Sequence, residues 1–260
     1  KGVASPAVTV SITVNAVNDP PTVSVAAGGS CAASGTSGTI NLTVGDVDSP
    51  LGGVTLTRAS SNTKLVPREK IVFGGSNPNR TLTITVEPQK NSQSAEITIT
   101  AKDGGGAMAI AKVTVIGGTD KKETINGTSI ADMIFGLNGD DTINAGDGND
   151  LVCDGKGRGV ISGGPGDDTL DGAKADDTLR GEGGNDILRG GSGSDRLEGG
   201  ADDDTLTGNS GADYFSGGPG TDRATDFTPS QGDTQDGTLE TLSAAAVELT
   251  GEIYLPIVAH

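Results

Sequence analysis

Acidic residues recur in this chain at a fixed spacing of nine. Asp132, Asp141 and Asp150 are followed by Asp168, Asp177, Asp186, Asp195, Asp204, Asp213 and Asp222, while Glu123 and Gly159 fill the same position in their own units. Evenly spaced carboxylates at this density suit the ligation of a hard cation better than proton transfer, which needs one isolated acid–base pair. Calcium, with six to eight oxygen ligands and loose geometry, fits better than magnesium, which demands an octahedron. The only histidine, His260, is the last residue, so relays built on Ser/His/Asp or Cys/His are excluded. No paired His or Cys offers a softer metal a site. The Gly-rich turns carry Asp rather than Lys and would repel phosphate.

The elements that position these acids follow from the unit. Residues 118–225 divide into twelve nonapeptides without insertion or deletion, and Gly163-Gly164-Pro165-Gly166-Asp167-Asp168-Thr169-Leu170-Asp171 shows the pattern plainly. Position eight is apolar throughout: Ile125, Ile134, Ile143, Val152, Ile161, Leu170, Leu179, Leu188, Leu197, Leu206, Phe215 and Ala224. Each unit reads as a six-residue Gly-rich turn and a three-residue strand whose middle side chain points inward. One nonapeptide cannot bury its single apolar residue, so two must form a coil and stacked coils must share a core. Unit n then lies over unit n+2, and the acids form two columns with successive members about 4.8 Å apart. At that spacing like charges repel until a cation separates them.

The unit matches G-G-x-G-x-D-x-U-x, and the chain resembles the RTX (haemolysin-type) calcium-binding repeat family over this tract. The resemblance implies a parallel β-roll holding several Ca2+ ions on the position-six residues, Glu123 included. The tract carries net charge −13 of the −17 of the whole chain. Calcium at roughly ten times a Kd of about 10⁻⁴ M stabilises by about 1.4 kcal/mol per site. Several sites approach ~10 kcal/mol, the stability of a whole domain. The roll is therefore expected to be unfolded without calcium, with roughly ten gaps between turns at most. Gly159 is expected to weaken the gaps it borders, toward Asp141 and toward Asp177.

Upstream, residues 8–14 alternate strictly and form one strand with Val8, Val10, Ile12 and Val14 on its apolar face. Residues 16–22, Ala-Val-Asn-Asp-Pro-Pro-Thr, resemble the linker between tandem bacterial cadherin-like and immunoglobulin-like repeats. That resemblance makes residues 1–20 an orphan strand and linker. Residues 3–15 could pair with a neighbouring subunit, pack on their own sandwich, or fray. Candidate strands at 22–27, 39–44, 54–59, 70–73, 81–86, 95–101 and 107–116 give a seven-stranded Ig-like β-sandwich over 21–117. Inward residues are Ile40, Leu42 and Val44, Val54 with Leu56, Leu82 with Ile84 and Val86, and Ile97 with Ile99. Asn18, Asp19, Asp46, Asp48 and Asp103 are expected at one pole. They read either as a junction calcium site, which the cadherin resemblance supports, or as ordinary turn residues.

The fold class expected is all-β: an immunoglobulin-like sandwich followed by a calcium-stabilised parallel β-roll. Within the roll, Met133, Phe135, Leu151, Cys153 and Ile187 fall on the outer face of the even-unit sheet. They read as an exposed patch that contacts either the sandwich of the same chain or another subunit. Cys31 and Cys153 are too few for a disulfide framework and read as two unrelated thiols, with pairing in an assembly as the other option. Residues 226–260 are expected to cap the roll. Their segment Tyr254-Leu255-Pro256-Ile257-Val258 resembles a tail on exported bacterial proteins, which would imply anchoring or sorting.

A pI near 4.2 excludes a nucleic-acid partner, and no apolar run is long enough to cross a membrane. Millimolar calcium is extracellular, so the chain is expected outside a bacterial cell or at its surface, with a leader removed or as a piece of a longer precursor. The function expected is a non-enzymatic calcium-binding structural protein. It would self-associate through residues 3–15 and the patch Met133, Phe135, Leu151 and Ile187 into a filament or layer. The alternative is the non-catalytic secretion or adhesion region of a larger RTX adhesin, toxin or enzyme.

Overall fold

The computed structural model describes residues 17–48 and 53–242. Residues 3–15 and the segment 252–258 lie outside the described residues. Seven antiparallel strands come first: β1 (Thr22–Cys31), β2 (Ser37–Gly45), β3 (Thr55–Ser60), β4 (Ile71–Ser76), β5 (Asn79–Thr85), β6 (Gln93–Lys102) and β7 (Met108–Gly117). Each falls on one of the seven expected strands. They form a four-stranded sheet in the order β1-β2-β5-β4, faced by β3, β6 and β7. Alternation decides the faces: Ile40, Leu42, Ile71, Leu82 and Ile84 from one sheet meet Ile97, Ile99, Val113 and Val115 from the other.

Fourteen short strands follow, and they wind into a parallel β-solenoid. One sheet takes β8 (Thr124–Thr128), β10 (Thr142–Gly146), β12 (Val160–Pro165), β14 (Thr178–Gly183), β16 (Arg196–Ala201), β18 (Tyr214–Ser216) and β20 (Thr234–Gln235). The other takes β9 (Asp132–Asn138), β11 (Leu151–Lys156), β13 (Thr169–Lys174), β15 (Ile187–Ser192), β17 (Thr205–Ser210), β19 (Arg223–Ala224) and β21 (Thr241–Leu242). Partners are eighteen residues apart, as Ile143 with Ile125 and Leu188 with Leu170 show, so unit n does lie over unit n+2. All twelve position-eight side chains are buried in one continuous core. The strands extend further than the sequence suggested. A typical strand such as Thr169–Lys174 runs from position seven through position three of the next unit, leaving a turn of three residues rather than six. Positions two and four carry positive φ, usually on glycine, as at Gly164 and Gly166.

The two parts are joined through a common sheet. β7 pairs in parallel with β9, Val115 opposite Met133 and Ile116 opposite Ile134, so a single ten-stranded sheet runs from β3 to β21. Because side chains alternate, Val113 and Val115 enter the sandwich core while Ile116 enters the roll core.

Two expectations are resolved at this junction. The patch of Met133, Phe135, Leu151 and Cys153 is not free for another subunit: all four are buried against the sandwich of the same chain, the first of the two partners expected for it. Gly29 and Gly38 let them approach: a methyl at Gly38 would lie 2.8 Å from Leu151, 3.1 Å from Met133 and 3.3 Å from Phe135. Ile187, three coils down, is half-buried. Nor are Cys31 and Cys153 unrelated thiols, since they form a disulfide from β1 to β11 with Cα atoms 5.7 Å apart. The pairing depends on a sandwich strand lying across the roll, which spacing alone does not reveal.

The roll also outlasts its repeats. β20 and β21 add a seventh coil, and Phe227 and Leu239 pack under the last apolar layer, Phe227 edge-on to Phe215 at 5.8 Å. Residues 226–242 thus cover the last repeat, and residues 243–260 lie outside the described residues.

Candidate metal centre

Each position-six aspartate is buried at a turn, with its side chain directed inward rather than into solvent. From Asp141 onward, the Oδ1 of each accepts the backbone N–H of the equivalent residue one coil earlier, whereas the Asp132 carboxylate accepts from Thr128. In the even-unit column Asp132 donates to Asp150, Asp150 to Asp168 and Asp168 to Asp186, all at 2.8 Å, then Asp186 to Asp204 and Asp204 to Asp222 at 2.9 Å. In the odd-unit column Glu123 donates to Asp141 at 2.9 Å, Gly159 to Asp177 at 2.7 Å, then Asp177 to Asp195 and Asp195 to Asp213 at 2.9 Å. All ten aspartates and Glu123 therefore belong to the two ladders. The ladders continue beyond the repeats. Asp213 donates to Asp233 at 3.0 Å and Asp222 to Glu240 at 2.6 Å. No nine-residue period marks Asp233, which sits twenty residues after Asp213 rather than eighteen.

In eight of the ten aspartates one oxygen is thus engaged, and the other is not. The Oδ2 atoms of Asp141, Asp150, Asp168, Asp177, Asp186, Asp195, Asp204 and Asp222 are buried without a hydrogen-bond partner. Asp132 differs, because its Oδ2 accepts the Thr128 N–H at 2.5 Å. A buried, half-satisfied carboxylate is costly when ionised. Burial accordingly pushes Asp168 up to about 9 and Asp177 to about 8, against one stabilising N–H each, and neighbouring carboxylates add to the rise. Asp150, Asp186 and Asp204 are raised to about 7, and Asp141 and Asp195 to about 6, again first by burial.

The unengaged oxygens face a shaped gap. A methyl at Gly163 would strike the carboxylate of Asp168 and lie 2.9 Å from the Gly181 carbonyl oxygen of the next coil. The same pair recurs beside Gly172, with Asp177 and the Gly190 carbonyl oxygen at 2.9 Å. Glycine at position one thus keeps open a cradle walled by a carboxylate and a carbonyl. Among the described residues no three acidic, His or Cys side chains converge on one point, so a cation here would take much of its shell from backbone carbonyls. Hard oxygen donors of both kinds fit calcium.

A second ladder, unforeseen in the sequence, runs at position five with opposite polarity. Asp167 donates its N–H to Asn149 at 3.2 Å, Asn185 to Asp167 at 2.9 Å, Asp203 to Asn185 at 3.0 Å and Thr221 to Asp203 at 2.8 Å. The signal was present as Asn or Asp before many position-six acids, and it holds the turns in register.

The expected junction residues do come together at one pole. Asn18 donates to Asp103 at 2.8 Å, the Asp19 N–H to Asp48 at 2.8 Å and the Asp48 N–H to Asp46 at 3.1 Å. Asp103 also accepts the N–H groups of Gly106 and Ala107 at 2.6 and 2.9 Å. These contacts tie loops together as Asx-type turns do.

Comparison with known families agrees with the geometry. Residues 117–152, 155–188, 162–197 and 189–224 each match the RTX calcium-binding nonapeptide repeat. The solenoid is built of RTX repeats. Repeats of this kind bind calcium and occur in secreted bacterial proteins. The matches begin at residue 117, and no family match covers the sandwich. A search of curated proteins finds no match. No described helix is long and apolar enough to cross a membrane.

Proposed function

We propose that the chain is an extracellular, non-enzymatic structural protein of a bacterial cell surface whose β-roll is folded by calcium. The observation that carries this reading is the double column of buried carboxylates, all but the first aspartate with one oxygen on the neighbouring coil and most with the other lacking a partner. Calcium in the gaps, held by Asp132 through Asp222 and by Glu123 with glycine carbonyls, would supply the missing charge and bonds. The chain's own residues do the rest: glycines open the cradle, N–H groups orient the carboxylates, and the apolar column fixes the register.

The sandwich is best read as immunoglobulin-like. Its order β1-β2-β5-β4 against β3-β6-β7 corresponds to the ABED and CFG sheets of a constant-type domain. In this reading the domain holds the roll rigidly, through a common sheet and the Cys31–Cys153 link. Asn18, Asp19, Asp46, Asp48 and Asp103 would order a junction with a preceding domain, with or without an ion.

Self-association into a filament or layer rests on residues 3–15 alone, since the sandwich already covers Met133, Phe135 and Leu151. Loss of that second surface favours a second reading: the secretion or adhesion region of a larger RTX protein. Light scattering of the whole chain and of a chain lacking residues 1–16, each in calcium and in chelator, separates them. Assembly predicts a multimer in calcium that becomes a monomer on truncation. A monomer throughout contradicts assembly and leaves calcium-driven folding intact.

A further inference from the structure

The fifth unit breaks the acidic column, because Gly159 stands at position six. The same unit breaks a second rule. Position one is Gly in ten units and Ala145 in the fourth, but Asp154 in the fifth. The structure brings these two departures together.

Asp154 is 1% exposed, and neither of its carboxylate oxygens has a hydrogen-bond partner. It is the only described residue of which both statements hold for both oxygens. A Cβ built on Gly159 would lie 2.5 Å from Asp154 Oδ2 and 2.8 Å from its Cγ. The Asp154 carboxylate therefore fills the room into which a position-six side chain would project. Its other oxygen faces the coil above. A Cβ on Gly136 would lie 2.8 Å from Asp154 Oδ1, 2.7 Å from the Asp154 carbonyl oxygen and 3.2 Å from Asp141 Oδ2. That is the cradle already described at Gly163 and Gly172, a carboxylate and a carbonyl from the next coil, with a second carboxylate added.

We propose that Asp154 is a calcium ligand that replaces, from position one, the carboxylate missing at Gly159, so that the odd-unit column binds calcium without interruption from Asp141 to Asp177. The proposal rests on calcium occupying the roll and reverses the sequence expectation that Gly159 weakens its two neighbouring gaps. The hydrogen-bond ladder resumes there, since the Gly159 N–H donates to Asp177 at 2.7 Å.

The test counts bound calcium per chain by equilibrium dialysis and follows folding by circular dichroism. Asp154→Asn keeps the size of the side chain and removes its charge. It is expected to bind at least one ion fewer than the unaltered chain and to need more calcium to fold. The double variant Asp154→Gly with Gly159→Asp moves the carboxylate back to position six. Gly159 does not have positive φ, and the three atoms nearest its Cβ all belong to Asp154, so the double variant is expected to recover the full count. Unchanged stoichiometry and midpoint in Asp154→Asn would overturn the proposal. If that variant does not fold, the double variant decides, and its failure to recover the count would also overturn it. An unaltered chain that binds no calcium defeats the calcium reading itself, which is a separable result.

Discussion

The sandwich and the roll are both all-β, joined by one sheet, and yet are held together by different forces. In the sandwich a two-sided apolar core is closed by Ile40, Leu42, Leu82, Ile84, Ile97, Ile99 and their neighbours, and its loop aspartates serve as backbone acceptors. In the roll each nine-residue unit contributes one inward apolar side chain and, in most units, one buried carboxylate. The first arrangement is self-sufficient, because hydrophobic burial needs no further component. The second is not, because buried like charges repel and lack bonds until a cation joins them. On the proposed reading, stability in this chain changes from solvent-driven to ion-driven within the width of one strand, β7.

The largest expected effect is the separation of the two parts by chelation. In EDTA at neutral pH the roll should lose its β structure while the sandwich keeps most of its own, a difference of ~10 kcal/mol carried by the sites together. Calorimetry should then show one sandwich transition, whereas in calcium the two parts should melt together. An unaltered single transition in EDTA would erase the contrast.

Next in size is a cut within the column. Asp168→Ala removes the acceptor of the Asp150 N–H and a carboxylate from the cradle beside Gly163, and should cost about 3 kcal/mol in calcium. Asp103→Ala, in the sandwich, should be indifferent to calcium, which chemical denaturation with and without the ion will check.

Breaking the Cys31–Cys153 link by Cys31→Ser should cost about 2–5 kcal/mol, since it closes a loop of 122 residues. The loss should fall on the cooperation between the parts. Two resolved transitions in calcium, where the parent has one, would show it.

The pH response sharpens the contrast further. Folded-state values of about 6 to 9 at Asp141, Asp150, Asp168, Asp177, Asp186, Asp195 and Asp204 lie above the unfolded value near 3.8. The folded roll without metal therefore holds more protons than the unfolded chain, and its stability falls as pH rises through that window. In EDTA the roll should be more stable at pH 5 than at pH 8. In calcium the order should reverse, as protons compete for the same oxygens. The smallest effect is local: Ala175, with φ +77°, should gain about 1 kcal/mol on replacement by Gly, read as a rise in melting temperature.

What the sequence disclosed was whatever repeats. A period of nine with an apolar residue in register places every position-eight side chain, the pairing of unit n with n+2 and all ten position-six aspartates. Strand alternation likewise located all seven sandwich strands. What stayed hidden depends on one part of the chain meeting another. The choice of the sandwich over another subunit as partner of Met133, Phe135 and Leu151 requires the glycines of β1 and β2 to lie across the roll, and the Cys31–Cys153 bridge requires the same approach. Asp233 and Glu240 escaped because the last coil is stacked by geometry after the period has lapsed. Asp154 carries no signal of its own in the sequence, because only the fold sets its carboxylate beside Gly159.

Whether calcium holds the roll is read from hydrogen exchange on the intact chain, amide by amide, in calcium and in EDTA at pH 8. The N–H groups bonded to position-six carboxylates, from Asp132 to Asp204, should lose protection in EDTA while those of β2, β5 and β6 retain it. Equal protection of the ladder amides in both buffers would contradict a roll held by calcium.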